Sequence, residues 1–271
     1  MLLHSAGYDA IDMSLFSMVR ADSPYLAENW REYTEAQRRF ADDRGIVFNQ
    51  AHAPFSFHWE DSDVRENIAQ PRVLRSIEVA AILGAETIVV HPLHYRDFAQ
   101  FADEMHEENL AYYRSMIPMC RDLGIKVAVE NMWQMNPRRR FIDYDVAADP
   151  HELAAFIDEL DSEWVTACLD LGHCGLVGED AAESIRILGH DRLGALHVHD
   201  NNFREDTHTL PGMGQMDWIS ICRALHDIDY SGEFTYEADS FLKNFRPEQL
   251  SDAAAFMVTI GRGLISEIEK E

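Results

Sequence analysis

Short runs of β-branched and aliphatic residues alternate along the chain with longer stretches whose apolar positions recur every three or four residues. The runs at 10–15, 45–52, 87–91, 126–130, 165–170, 195–200 and 233–237 read as strands. The stretches between them read as helices with clear punctuation. Residues 24–44 predict a helix with Ser23 as N-cap, Pro24 at the first helical position and Gly45 past its end. Residues 63–83 predict a second helix stopped by Gly84, and 104–123 a third stopped by Gly124 and kinked at Pro118. Asp149-Pro150-His151-Glu152 supplies an N-cap, an N1 proline and an acidic N3 for the next. Asp217 caps a helix reaching about His226, and the last runs from about 247 to 268.

Strand–helix alternation at this spacing implies parallel strands with helical crossovers. No Pro/Gly/Ser-rich linker divides the chain, so residues 1–271 read as one domain. A doubly wound sheet and a (β/α)8 barrel both fit the alternation. The polar residues separate them, because nearly every strand ends in His, Asp or Glu. An open sheet gathers ligands at one switch point, whereas a barrel brings all strand C-termini to one mouth. The expected fold is therefore an α/β TIM-type barrel. Only seven strands are read. Residues 1–9 resemble a helix tail closing on Gly7, so the barrel's first strand is expected to be missing or atypical. Its exposed seam would be a liability that a homo-oligomer could cover.

Composition narrows the partners. The 271 residues include 48 acidic and 23 basic side chains, a formal net charge of −25. A field of that sign repels nucleic acid and anionic membrane surfaces. No apolar run is long enough to span a bilayer, and the N-terminus does not read as a signal peptide. The apolar fraction of 46% suits a globular domain of barrel size. Cys120, Cys168, Cys174 and Cys222 form no CxxC pair and read as buried, reduced thiols in a cytoplasmic protein.

The strand ends carry the chemistry. They are Gln50-Ala51-His52-Ala53-Pro54-Phe55, Val89-Val90-His91-Pro92, Val127-Ala128-Val129-Glu130-Asn131, Cys168-Leu169-Asp170-Leu171-Gly172-His173, Leu196-His197-Val198-His199-Asp200 and Thr235-Tyr236-Glu237. A loop after the sixth run adds Asp206, His208 and the turn Pro211-Gly212-Met213-Gly214. Carboxylates and neutral imidazoles on one rim suit Mn, Zn, Co or Mg. A lone strand-end acid is ordinarily solvated or a helix cap; Glu130 and Glu237 stand out because both end apolar strands pointing at one mouth, and Asp170 and His197 are similar.

The ordered series HAPF, HP, EN, DxGH, HxHD, DxHxxPGxG and E resembles the xylose-isomerase-like TIM barrels, which include sugar and sugar-phosphate isomerases and epimerases and endonuclease IV. The resemblance covers nearly the whole chain from Gly7. It implies one divalent metal held by Glu130, Asp170, His197 and Glu237. Glu130 and Glu237 would also be the catalytic carboxylates, removing and returning a proton beside a carbonyl through a metal-stabilised enediolate. The nine-ligand, three-metal set of endonuclease IV matches His52, His91, Glu130, Asp170, His173, His197, Asp206, His208 and Glu237, so up to three metals could be held. His52, His91 and His173 are open to three roles: metal binding, substrate contact or orienting ligands. His199 could support or replace His197, and Asp206 and His208 could simply brace their loop.

The functional expectation is a metal-dependent isomerase or epimerase acting on a small-molecule sugar or sugar phosphate. An endonuclease IV-like phosphodiesterase accounts for the nine-residue match but conflicts with the charge. A keto-inositol dehydratase would begin with the same proton abstraction, and a non-catalytic binding barrel is a third class. Arg138-Arg139-Arg140, Lys243 and Arg246 are candidate anion contacts, against the plainer reading of solvated surface charge. Phe55, Phe57, Trp59 and Trp133 are rim aromatics able to pack on a sugar face or on their own loops.

Overall fold

In the computed structural model, residues 2–136 and 138–270 are described. The chain divides into two compact units. The first comprises Asp9–Val129 and Leu160–Thr166. Its strands are β1 (Ala10–Ser14), β2 (Val47–His52), β3 (Thr87–Val90) and β4 (Lys126–Glu130), the last residue of β4 lying past the unit's boundary. Neighbours in that order pair in parallel, with Met13 opposite Ala51, Ala51 opposite Ile88 and Ile88 opposite Val127. The buried centre of each strand is aliphatic: Ala51, Ile88, Val89, Val127 and Ala128 are almost wholly inaccessible. This is the near-continuous apolar run expected of parallel strands covered on both faces. Helices Gln70–Leu83 and Phe98–Leu123 end on Gly84 and Gly124, both left-handed, as their punctuation predicted.

Two helix expectations need correction. The helix expected over 24–44 is broken. Pro24–Leu26 is one 3-10 turn, Ala27 is extended, and the α-helix spans Trp30–Asp42. Ser23 makes no cap bond because its hydroxyl lies 3.2 Å from that of Ser17. In Phe98–Leu123 the non-helical dihedrals fall at Phe101, not at Pro118.

The second unit comprises Met1–Tyr8, Glu130–Glu159 and Ala167–Glu271. It holds a two-stranded antiparallel hairpin, β5 (Trp133–Met135) with β6 (Ile142–Tyr144), which the alternating pattern does not predict. β7 (Val165–Asp170) starts in the first unit and ends here, and β8 (Leu193–His197) runs parallel to it with Asp170 opposite His197. The seventh sequence run is reduced to a bridge: Val198 pairs in parallel with Tyr236, accepting from Glu237 N at 3.1 Å and donating to Thr235 O at 2.8 Å. Leu210, Ala238, Phe241, Ala253 and Met257 pack together, with Tyr8 and Tyr236 against them. The terminal helix, Leu250–Ile268, thus seals the loop that follows Glu237.

Candidate metal centre

Glu130, Asp170 and His197 are the last residues of β4, β7 and β8, and Glu237 follows bridged Tyr236. Parallel strands ending at one level deliver their final side chains to one place. Asn131 fixes that level: its Oδ1 accepts from Asp170 N at 2.7 Å and its Nδ2 donates to Asp170 O at 3.1 Å. One donor atom from each of Glu130, Asp170, His197 and Glu237 fits within 4.8 Å of all the others. His197 Nδ1 lies 3.0 Å from Glu130 Oε1, 3.1 Å from Glu237 Oε2 and 3.9 Å from Asp170 Oδ2. Glu130, Asp170 and His197 are buried, and Glu237 is about one-third exposed at its side chain. Burial works against a positive His197, but the adjoining Cys168, Glu237 and Glu130 outweigh it and raise its pKa well above the usual imidazole range.

A second group adjoins the first through Asp170. His173, His199, Asp206 and His208 also offer donor atoms within 4.8 Å of one another. His208 Nε2 is 3.1 Å and His173 Nε2 3.6 Å from Asp206 Oδ2. The opposite nitrogens are tied down: His173 Nδ1 donates to Asn131 O at 2.7 Å and His208 Nδ1 to Glu237 O at 2.8 Å. Those carbonyls fix the tautomer, so each Nε2 offers a lone pair to a cation or, when protonated, a proton to Asp206. Burial opposes charge on both rings, yet Asp170, Asp206 and Glu130 lift His173 to about 10, and Asp206, Asp170 and Glu237 lift His208 to about 9. Burial likewise opposes charge on Asp206, but hydrogen bonds from His173 and His208 hold it far below the usual carboxylate range.

The loop carrying Asp206 and His208 is moored by Asp200, the last residue of the HxHD motif, to which the sequence reading assigns no role of its own. Asp200 is fully buried. Its Oδ1 accepts from Asn201 N (2.9 Å) and Met216 N (3.2 Å), and its Oδ2 from Gly212 N (2.9 Å) and Trp218 Nε1 (2.9 Å). Its backbone exchanges hydrogen bonds with Thr209. Trp133 Nε1 adds a 3.3 Å bond from the hairpin to Asp206 Oδ2.

The donor set suits a divalent cation. Four carboxylates and four imidazoles crowd a largely buried space. Asp206 Oδ1 and His199 Nδ1 are buried with no hydrogen-bond partner among the described residues, which is costly for polar atoms that no ligand satisfies. His52 and His91 belong to the first unit, their rings 4.9 Å apart, with Phe55 stacked on His91 at 4.5 Å. Trp59 packs on Phe57 and Tyr112. Arg138, Arg139 and Arg140 are exposed at the hairpin turn, where Asn136 Oδ1 accepts from Arg138 N and Arg139 N. Lys243 pairs with Asp239 at 2.6 Å and Arg246 with Glu248 at 3.3 Å, both exposed.

A family model described as xylose isomerase-like TIM barrel matches residues 2–260. The chain belongs to the xylose isomerase-like TIM barrel family. D-psicose 3-epimerase of Agrobacterium fabrum is 27% identical over 78% of this family member and 72% of its own length. Among solved structures, a D-tagatose 3-epimerase-like protein superposes with a TM-score of 0.75 at 21% identity, covering 97% of this chain and 90% of that one. The IOLI protein with a bound zinc atom superposes at 0.70 and 16% identity, covering 98% and 90%. At such identities these structures share the barrel fold. An uncharacterized relative from Methanocaldococcus jannaschii, 29% identical, is matched over 72% of this chain and 66% of its own length. Matches to relatives from Sinorhizobium fredii and Mycobacterium leprae span 50% and 62% of theirs. Among the described residues, no helix of this barrel is long and apolar enough to cross a membrane.

Proposed function

We propose that the protein is a divalent-metal-dependent epimerase or isomerase of a sugar or sugar phosphate. The observation that carries the reading is the meeting of Glu130, Asp170, His197 and Glu237 donor atoms within 4.8 Å. Names among the relatives support the substrate class, since D-psicose 3-epimerase and a putative L-ribulose-5-phosphate 3-epimerase are both matched at 27% identity. These four residues would hold the ion, which when bound polarises a carbonyl and an adjacent hydroxyl and so acidifies the C–H of the carbon bearing that hydroxyl. Mn, Zn, Co and Mg all accept such a mixed oxygen–nitrogen set.

Glu130 and Glu237 are the proton-handling groups. Their carboxylates reach the same His197 nitrogen at 3.0 and 3.1 Å, so both border one reaction space. One removes the proton and the other delivers it. His173, Asp206 and His208 form the polar wall beside them, where Nε2 protons are available to substrate hydroxyls or, once lost, lone pairs to a further ion. A phosphodiesterase using the wider ligand set fits less well, because a −25 chain repels a nucleic-acid backbone. The test is deuterium uptake from heavy water into a panel of ketoses and ketose phosphates. Wild-type protein exchanges one substrate hydrogen, while Glu130→Gln and Glu237→Gln each lower the rate at least about a hundredfold. Exchange persisting in both variants would remove these carboxylates from the chemistry.

A further inference from the structure

His199 stands two residues beyond His197 and is fully buried. Its Nε2 lies 2.9 Å from Asp170 Oδ1 and 3.1 Å from Oδ2. A hydrogen bond to a carboxylate requires a proton on that nitrogen, so Nε2 has no lone pair for an ion. Asp170 Oδ1 also accepts from His173 N at 2.8 Å, because Asp170 caps the short helix Leu171–Val177. Oδ1 therefore takes the shorter arm of the His199 bond and a second N–H, while Oδ2 takes the longer arm alone. Oδ2 is the oxygen turned towards His197 Nδ1 (3.9 Å) and His173 Nε2 (3.8 Å).

The ring is held on its flanks as well. His208 stacks on it at 4.0 Å and 9°. Gly172 closes another side so tightly that a Cβ there would sit 2.0 Å from His199 Cε1. A buried histidine that merely ties two parts of a fold together uses both nitrogens. Here Nδ1 has no hydrogen-bond partner among the described residues, and Nε2 meets the carboxylates of Asp170 and, at 3.9 Å, Asp206.

We propose that His199 is a positioning residue that pins the Asp170 carboxylate through Oδ1, leaves Oδ2 as a single-oxygen metal ligand, and so sets how tightly the centre holds a divalent ion. This rests on the metal reading above. Orienting partners of metal ligands typically contribute about 10- to 100-fold in affinity.

The test is Mn2+ binding to chelator-stripped, full-length protein, followed by the electron paramagnetic resonance signal of free Mn2+. His199→Ala is expected to bind about 10- to 100-fold more weakly than wild type. His199→Leu, which fills the space but lacks the N–H, should lose as much, and it serves if the alanine variant does not fold. His199→Gln, which can place an amide N–H near the same point, should recover most of the loss. Equal affinity within twofold for wild type and His199→Leu, or no recovery by a folded His199→Gln, would overturn the proposal. Asp170→Asn is the reference. If wild type takes up Mn2+ and Asp170→Asn does not, the metal reading stands whatever His199 does. If wild type takes up none, the metal reading itself fails.

Discussion

Replacing Asp200 by Asn changes one oxygen to an amide group and nothing in size. The carboxylate now accepts four N–H bonds, two on each oxygen, from Asn201, Met216, Gly212 and Trp218. Asparagine has one oxygen. In either amide orientation its NH2 faces two N–H donors, and the pair it abandons loses an acceptor. The group cannot retreat, because a Cβ on Gly214 would lie 2.2 Å from Asp200 Oδ1, so the two segments are already in contact. Leaving a buried donor unpaired costs about 1–3 kcal/mol, which for two donors is about 2–6 kcal/mol. Removing a fully buried charge returns part of its desolvation cost, so the lower range, about 2–4 kcal/mol, is expected. For a domain near this size that lowers the melting midpoint by roughly 5–15 °C. Thermal unfolding of metal-free wild type and Asp200→Asn, followed by circular dichroism, measures it. A loss under about 1 kcal/mol would refute the mooring role, since an exposed or loosely held carboxylate would cost that little.

Burial pushes Cys120, Cys168 and Cys174 up to about 12 and Cys222 to about 11, so the native protein should resist thiol reagents at pH 8 while the unfolded chain titrates all four. In the metal-free protein His173 and His208 titrate near 10 and 9, above their unfolded value of about 6.5. Their contribution to stability is therefore complete below about pH 6.5 and lost as pH rises through 9 to 10; a melting midpoint flat from pH 6 to 10 would contradict it. Gly172→Ala must displace the His199 ring and should weaken Mn2+ binding in the direction of His199→Ala, with unchanged affinity arguing that the ring does not orient Asp170.

Much of the scaffold was legible because it depends on local signals. Gly84 and Gly124 stop helices for the reason their punctuation implied, and Asp217 caps the helix at Trp218 through Ser220 N. The alternation of apolar runs with amphipathic stretches pointed to a parallel α/β barrel, and the family match bears out that fold. The family resemblance carried by the strand-end motifs implied Glu130, Asp170, His197 and Glu237, whose donor atoms the structure brings together. What escaped depends on contacts remote in sequence. Ser23 reads as a cap, yet Ser17 engages its hydroxyl. β5 and β6, three residues each, are too short to show a strand period. Asp200 and His199 sit in one HxHD string, and only the packed loop reveals that one moors the backbone while the other faces Asp170.

The central claim is that this chain labilises a hydrogen beside a sugar carbonyl by means of an ion held at Glu130, Asp170, His197 and Glu237. Solvent deuterium uptake into a ketose substrate, measured on chelator-stripped protein as a divalent ion is titrated back, tests it most directly. Exchange absent from the stripped protein, restored in proportion to bound ion, and not restored in Asp170→Asn is the result expected. Exchange at the full rate without metal would contradict the account.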